Sequence, residues 1–120
     1  DIALHGNPDD GLPVMRRILN DFRVAHRTWY VVWATRVLVE VLAARGTEPD
    51  IAEAEQLVAR LAEFATEGAA IPRITLLQCE ALVARARGDH DFSERADRYL
   101  AMAKCLDYEG HIAWANQMLA

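Results

Sequence analysis

The residues of this chain that could perform covalent chemistry are few and widely spaced. A serine or cysteine nucleophile needs a neighbouring base and a third group that orients that base. Cys105 and His111 could supply a nucleophile and its base, but the sequence offers no orienting group beside them. Ser93 falls in the first turn of a predicted helix, where serine is common. We therefore expect no catalytic residues, and we interpret Cys79 and Cys105 as buried apolar side chains.

Histidine is the commonest metal ligand, but the histidines of this chain lack ligand spacing. No two of His5, His26, His90 and His111 stand at i, i+3 or i, i+4. The sequence also contains no glycine loop for phosphate, no H-E-x-x-H motif and no C-x-x-C motif. We therefore expect neither a metal ion nor a cofactor.

Six residues are candidates for contact with a partner or a ligand, and four of them are aromatic. Aromatic residues are enriched among those that dominate protein interfaces. The other interpretation of the tryptophans is that they wedge between helices or cover an end of the fold, because Trp29, Tyr30 and Trp33 at i, i+1 and i+4 cannot all face one way. Glu109 and His111 could instead form a turn that docks the last helix. The candidates are Trp29, Trp33, Tyr99, Glu109, His111 and Trp114.

Composition limits the class of protein. The 120 residues suffice for one domain, and 52% of them are hydrophobic, which is enough for a core. A net charge of −5 argues against direct nucleic-acid binding. No apolar run reaches the roughly 18–20 residues of a membrane span, and no signal peptide is visible. The two thiols within predicted helices favour a reducing cytoplasm. Because the chain begins at Asp1 rather than Met, we expect a piece of a longer protein.

Charge is distributed unevenly along the chain. Residues 47–68 hold six acids against one arginine, whereas residues 16–27 have a net charge of +3. The acidic segment is interpreted as a solvated helix face or, alternatively, as a docking surface. The basic segment is interpreted as a solvated face or as a contact for an acidic surface, such as the third helix of another copy.

Apolar periodicity predicts an all-α fold of about six helices in a single domain, residues 1–120. Met15, Ile18, Leu19 and Phe22 form one apolar stripe on the first helix, whereas the second is apolar nearly all round. The predicted elements are a loop at 1–11 and helices at 12–25, 28–45, 51–67, 72–87, 92–106 and 108–118.

A short sequence motif that occurs twice predicts where helices end. Ala-Arg-Gly at 44–46 and again at 86–88 is followed by an aspartate with glutamate three residues later. Glycine stops a helix, and the aspartates at 50 and 91 are expected to cap the next one. Pro72 is expected in a first turn, Gly68 as a stop and Asp107 as the cap of the last helix.

These helices are expected to form stacked antiparallel hairpins, the second helix with the third and the fourth with the fifth. The first and sixth helices close the two ends. Ala54 and Ala96, which are 42 positions apart, would allow close helix approach. The arrangement is tetratricopeptide-like, although that family's period is nearer 34 and its aromatic and glycine positions are not reproduced.

The last third of the chain contains the most specific sequence motif, which has the pattern A-K-x-L-x-[FY]-E-G-H-x-x-W-A. Here it reads Ala103-Lys104, Leu106, Tyr108-Glu109-Gly110-His111 and Trp114-Ala115. This stretch resembles the C-terminal end of large actinobacterial signalling proteins. Those proteins join a class III adenylate/guanylate cyclase domain, or a LuxR-type DNA-binding domain, to an AAA-like ATPase and a helical repeat region. The upstream helices match only in general style.

The resemblance implies that any cyclase, ATP-binding or DNA-reading residues lie upstream. This chain would then be a non-catalytic helical module for protein contacts in a regulator. Its partner would be the upstream domains or another copy, as a homo-oligomer. The alternative is a sensor whose concave face binds a small molecule or peptide near Trp29, Trp33 or Tyr99.

Overall fold

Six α-helices make up the described part of the chain, and the expectation of an all-α fold is confirmed. The computed structural model describes residues 8–63, 65 and 69–120, with side chains from residue 11 onward. The helices are α1 Pro8–Val24, α2 Thr28–Arg45, α3 Glu48–Ala62, α4 Ala70–Arg87, α5 Phe92–Leu106 and α6 Glu109–Leu119.

The helices stack as antiparallel hairpins in the predicted pairs. The hairpins are α2 with α3 and α4 with α5, and they meet where α4 packs on both α2 and α3. The first helix packs on α2, and the last packs on α5. Because short loops reverse the chain between successive helices, α2, α4 and α6 run in the same direction along one side of the stack.

Glycine ends the first helix of each hairpin, as the repeated motif predicts. Gly46 and Gly88 have φ of 69° and 71°, a left-handed conformation that costs glycine little. The amide of Gly46 donates to the carbonyl of Leu42 at 3.0 Å, and that of Asp89 reaches the carbonyl of Ala84 at 3.0 Å. These bonds satisfy carbonyls that the helix leaves free.

The third helix starts earlier than predicted, because its cap is Thr47 and not Asp50. The Thr47 hydroxyl oxygen accepts a hydrogen bond from the Asp50 amide. The Asp50 carboxylate in turn accepts from the Thr47 hydroxyl at 2.6 Å and from Nε of Arg45 at 3.0 Å. Thr47 and Asp50 therefore form the reciprocal capping box, shifted by three residues. The helix ends at Ala62 rather than residue 67, and the predicted stop at Gly68 lies outside the described residues.

Other boundaries also differ from prediction. The first helix begins at Pro8, so residues 8–11 are helix rather than loop, while residues 1–7 lie outside the described part. The fourth helix begins at Ala70, and Pro72 is buried within its first turn. A first turn tolerates proline because its amides lack helical acceptors. Helix α5, the second helix of the other hairpin, begins after Asp91 as predicted. The Asp91 side chain makes no capping hydrogen bond and instead accepts a hydrogen bond from Nε of Arg95 at 3.0 Å.

Asp107 ends α5 and does not cap α6. It has φ 57° and ψ 41°, the left-handed C-cap conformation, and Tyr108 is the residue before the last helix. Aspartate adopts this conformation more readily than most side chains. The sequence predicts Asp107 at the start of α6, whereas the structure places it at the end of α5, in the role that glycine has in α2 and α4.

The core lies along α2 and its neighbours. Leu38, Val39 and Leu42 are fully buried there, and the predicted stripe of α1 packs on them through Met15 and Leu19. Ala54 and Ala96 are fully buried at the second helix of each hairpin. A smaller cluster around Tyr99 joins α4, α5 and α6 and includes Ile74, Ala103 and Ala115. Among the described residues, no helix is long and apolar enough to span a bilayer.

Candidate binding surfaces

Three aromatic side chains at the start of α2 are exposed, so their interpretation as core wedges is wrong. Trp29, Tyr30 and Trp33 expose 62%, 54% and 45% of their surface. An α-helix turns by about 100° per residue. Positions i, i+1 and i+4 therefore share an arc of about 100° and can all face one way. We call Trp29, Tyr30 and Trp33 the aromatic patch.

Neighbouring side chains extend the aromatic patch and surround it with positive charge. The ring of Tyr30 stacks on that of Phe22 at 5.0 Å, which ties the patch to α1. Val24 is 71% exposed beside the turn between the helices. Arg27 is exposed in the same turn, and Arg23 lines a small hollow of about 140 Å³ together with His26, Thr28 and Val31. Burial first, and then the charge of Arg60, lowers the pKa of Arg23.

Tyr99 and His111 form a closed pair and not an open binding site. Tyr99 is fully buried, and its hydroxyl lies 2.6 Å from Nδ1 of His111. A neutral imidazole with its proton on Nε2 accepts this hydrogen bond. Burial, and secondarily the charge of Arg36, lowers the pKa of His111 and favours the neutral ring. Tyr99 therefore cannot contact a ligand directly, and His111 has one ring nitrogen occupied.

Trp114 is tied into the same region. Its ring meets that of His111 edge-on at 5.3 Å, and the guanidinium of Arg36 lies 5.4 Å from its centroid. The same guanidinium donates to Glu40 at 2.7 Å, one turn further along α2. Trp114 remains 41% exposed. Of the six predicted candidates, the structure thus brings together Tyr99, His111 and Trp114.

Trp29, Trp33 and Glu109 stand apart from that cluster. The two tryptophans belong to the aromatic patch near the start of α2. Glu109 is exposed in the first turn of α6, where its charge suits the positive end of the helix dipole. It makes no ion pair with any described residue.

A cleft between α2, α4 and α6 has a volume of about 270 Å³. The side chains come from the middle and C-terminal parts of all three helices, which agrees with their common direction. The walls and floor include Glu40, Gln78, Leu82, Arg85, Trp114 and Met118. We call this space the central cleft.

Gln78 lines the central cleft and has a buried side-chain oxygen without a partner. The residue is 2% exposed, and its Oε1 forms no hydrogen bond with any described residue. Buried polar groups are almost always paired, so such an oxygen needs an explanation. No sequence motif marks Gln78 as a functional residue. The available signal was a glutamine within the buried face of a helix, alongside Ile74, Thr75 and Leu82.

The two cysteines lie in opposite surroundings. Cys79 is buried as expected, and burial raises the pKa of its thiol to about 12, so it stays protonated at neutral pH. Cys105 is exposed, and the expectation that it is buried is wrong. The described residues contain no group of three or more histidine, cysteine or acidic side chains placed to hold a metal ion.

The acids of α3 are largely occupied within the chain. Glu53 accepts a two-pronged hydrogen bond from Arg16 at 2.8 Å, and Glu55 accepts one from Arg87. The hydrogen bond from Arg87 lowers the pKa of Glu55, and that from Thr47 lowers the pKa of Asp50. The acidic face of this helix is therefore solvated, as the sequence predicts, but its Glu53 and Glu55 are already paired with arginines of the same chain.

Comparisons with protein-family models, with curated proteins and with solved structures find no match to the chain.

Proposed function

We propose that the chain is a non-catalytic helical module that binds another protein surface. The aromatic patch is the observation that supports this proposal. Tryptophan, tyrosine and arginine are the residues most enriched at the centres of protein interfaces. A monomeric protein gains nothing by leaving two tryptophans and a tyrosine in one exposed arc, whereas contiguous apolar patches commonly mark binding sites.

The charges around the patch indicate the partner's chemistry. Arg27 and His26 are exposed beside it, so a complementary surface offers apolar groups at its centre and carboxylates at its edge. A second copy of the chain is a poor supplier of those carboxylates, because Glu53 and Glu55 are already paired with arginines of their own chain. We therefore favour a different polypeptide or a different domain of the same protein over a homo-oligomer.

The sequence motif of residues 103–115 supports placing this module in a cytoplasmic bacterial regulator. In that setting the partner is an upstream domain, such as an AAA-like ATPase with a nucleotide cyclase or a LuxR-type DNA-binding domain. Contacts of this kind regulate the output of a chain without any chemistry in the helical module itself.

The test compares the chain with a Trp29→Ser/Trp33→Ser variant. Light scattering measures self-association, and pull-down measures binding to the purified domains upstream of the module in its protein. We expect a monomer that captures those domains, and a variant that folds but loses capture. Leu119→Ser removes an exposed apolar side chain outside the patch and serves as the matched control. Capture that survives loss of both tryptophans would refute the proposal, and concentration-dependent dimers lost in the variant would favour self-association.

The alternative function is a sensor that binds a ligand on the side formed by α2, α4 and α6. One observation favours it, namely the unpartnered Oε1 of Gln78 in the central cleft. Trp29, Trp33 and Tyr99, which the sequence suggested as the ligand contacts, do not line this cleft. A sensor function therefore depends on Gln78, Arg85 and Trp114.

A further inference from the structure

The size of the central cleft limits what it can bind. Its volume of about 270 Å³ is slightly below the range of about 300–1,000 Å³ typical of small-molecule sites. A folded partner or a long peptide does not fit such a space. The cleft is therefore suited to a small molecule.

Gln78 specifies one group of that molecule. Its Oε1 has no hydrogen bond to any described residue, although the residue is only 2% exposed. A half-turn of the amide exchanges its donor and acceptor ends. A ligand amide offers both an N–H and a C=O, so it can pair with Gln78 in either orientation. Filling this position removes the cost of a buried polar group without a partner.

Arg85 specifies a second group. It lies on the rim of the cleft, on the same helix as Gln78 and two turns further on, and it forms no ion pair with the described residues. The one acid of the cleft, Glu40, is already bound by Arg36 at 2.7 Å. The unbalanced charge of the cleft is therefore positive and attracts a carboxylate. Helical side chains lean toward the N-terminus, which brings the Arg85 guanidinium back toward Gln78.

The third group is apolar. Leu82 lies between Gln78 and Arg85 on α4, and Trp114 and Met118 face it from α6, one turn apart. A tryptophan beside a methionine forms a wall that adapts to a branched aliphatic or aromatic group.

We propose that the central cleft binds a small carboxylic acid that carries an amide and an apolar side group, the chemistry of an N-acylated apolar amino acid. Gln78 pairs with the amide, Arg85 binds the carboxylate, and Trp114 with Met118 covers the apolar group. This inference rests on the alternative sensor function and is independent of the aromatic patch.

The experiment is an NMR titration of the whole chain with N-acetyl-leucine, observed at the indole N–H signals of its three tryptophans. We expect the Trp114 signal to move while those of Trp29 and Trp33 stay in place. N-acetyl-leucinamide, which lacks the carboxylate, should bind roughly tenfold more weakly, because hydrogen bonds to charged groups are worth on that order.

Two variants identify the contacts. Arg85 is exposed, so Arg85→Gln leaves the fold intact, and it should make the acid and the amide bind equally. Gln78→Met should abolish binding of both and raise the melting temperature, because an unpaired buried oxygen is removed. A Trp114 signal that no probe moves, or a shift that persists unchanged in Arg85→Gln, would overturn the inference. Shifts confined to Trp29 and Trp33 would overturn it too, and would leave the docking function standing.

Discussion

Two aromatic groups of this molecule have similar composition and opposite surroundings. The aromatic patch at the start of α2 is largely exposed, and its one ring-stacking contact with a described residue joins Tyr30 to Phe22. The group on α5 and α6 is joined internally, since Tyr99 is bonded to His111 and Trp114 lies between His111 and Arg36. Residue type therefore does not distinguish a structural aromatic group from a binding one, whereas the partners of each ring do.

The largest expected difference between the two groups is in stability. Tyr99→Ala empties a fully buried site, and the loss of a large buried aromatic side chain costs about 3–5 kcal/mol. Trp29→Ala removes a mostly exposed ring and should change stability by less than about 0.5 kcal/mol. Urea unfolding followed by circular dichroism measures both.

The comparison fails if these two substitutions cost similar amounts. A large cost for Trp29→Ala would mean that the patch packs on the fold, and the docking proposal would lose its support. Trp33→Ala provides a second measurement from the same patch, at 45% exposure.

Overpacking tests the close contacts between hairpins at an intermediate magnitude. Ala54 and Ala96 are both fully buried on the second helix of their hairpins. Replacing either with Leu inserts methyl groups where helices touch, which costs about 1–3 kcal/mol. Ala62→Leu, at an exposed position near the end of α3, is the matched control and should be nearly neutral. A tolerant Ala54 or Ala96 would contradict the close packing described for these helices.

Much of this fold could be predicted from the sequence because the periodicity of apolar residues within a few turns predicts a helix. The stripe of α1 and the glycine stops at 46 and 88 depend on neighbours within one or two turns. Capping was harder, since both Thr47 and Asp50 are suitable cap residues and only their geometry decides which one begins the helix. Asp107 shows the same ambiguity, because aspartate is common both before a helix and in a left-handed turn after one.

The candidate sites could be predicted less well, because they depend on contacts between distant helices. The ring of Trp114 meets Arg36 across the fold, and the sequence gives no sign of that pairing. Nothing in the sequence distinguishes Gln78 from other glutamines. It is unusual because its buried Oε1 has no hydrogen bond to a described residue. The prediction that the three residues of the aromatic patch cannot face one way was wrong for a local reason. The angles of an α-helix alone place them on one arc.

The hydrogen bond within the buried aromatic group has a smaller effect, which pH should reveal. The pKa of His111 is lowered in the folded chain, so folding favours the neutral ring. The stability that depends on neutral His111 is complete above its unfolded pKa of about 6.5, and it declines as the pH falls below that value. We expect urea unfolding to show this decline between neutral pH and mild acid, and His111→Gln to flatten it. His90→Gln, at an exposed position, should leave it unchanged.

Tyr99→Phe isolates that bond with the least disturbance, because the ring stays and only the hydroxyl goes. A hydrogen bond of this kind contributes about 0.5–1.5 kcal/mol, so the variant should lose that amount near neutral pH. The phenylalanine leaves Nδ1 of His111 without its donor and removes one reason for the ring to stay neutral, so the loss should shrink as His111 gains a proton in acid. Tyr30→Phe removes the hydroxyl of an exposed ring in the aromatic patch and should change nothing at any pH. If both substitutions were silent, Tyr99 and His111 would be neighbours without an energetic link, and the distinction between the two aromatic groups would reduce to burial alone.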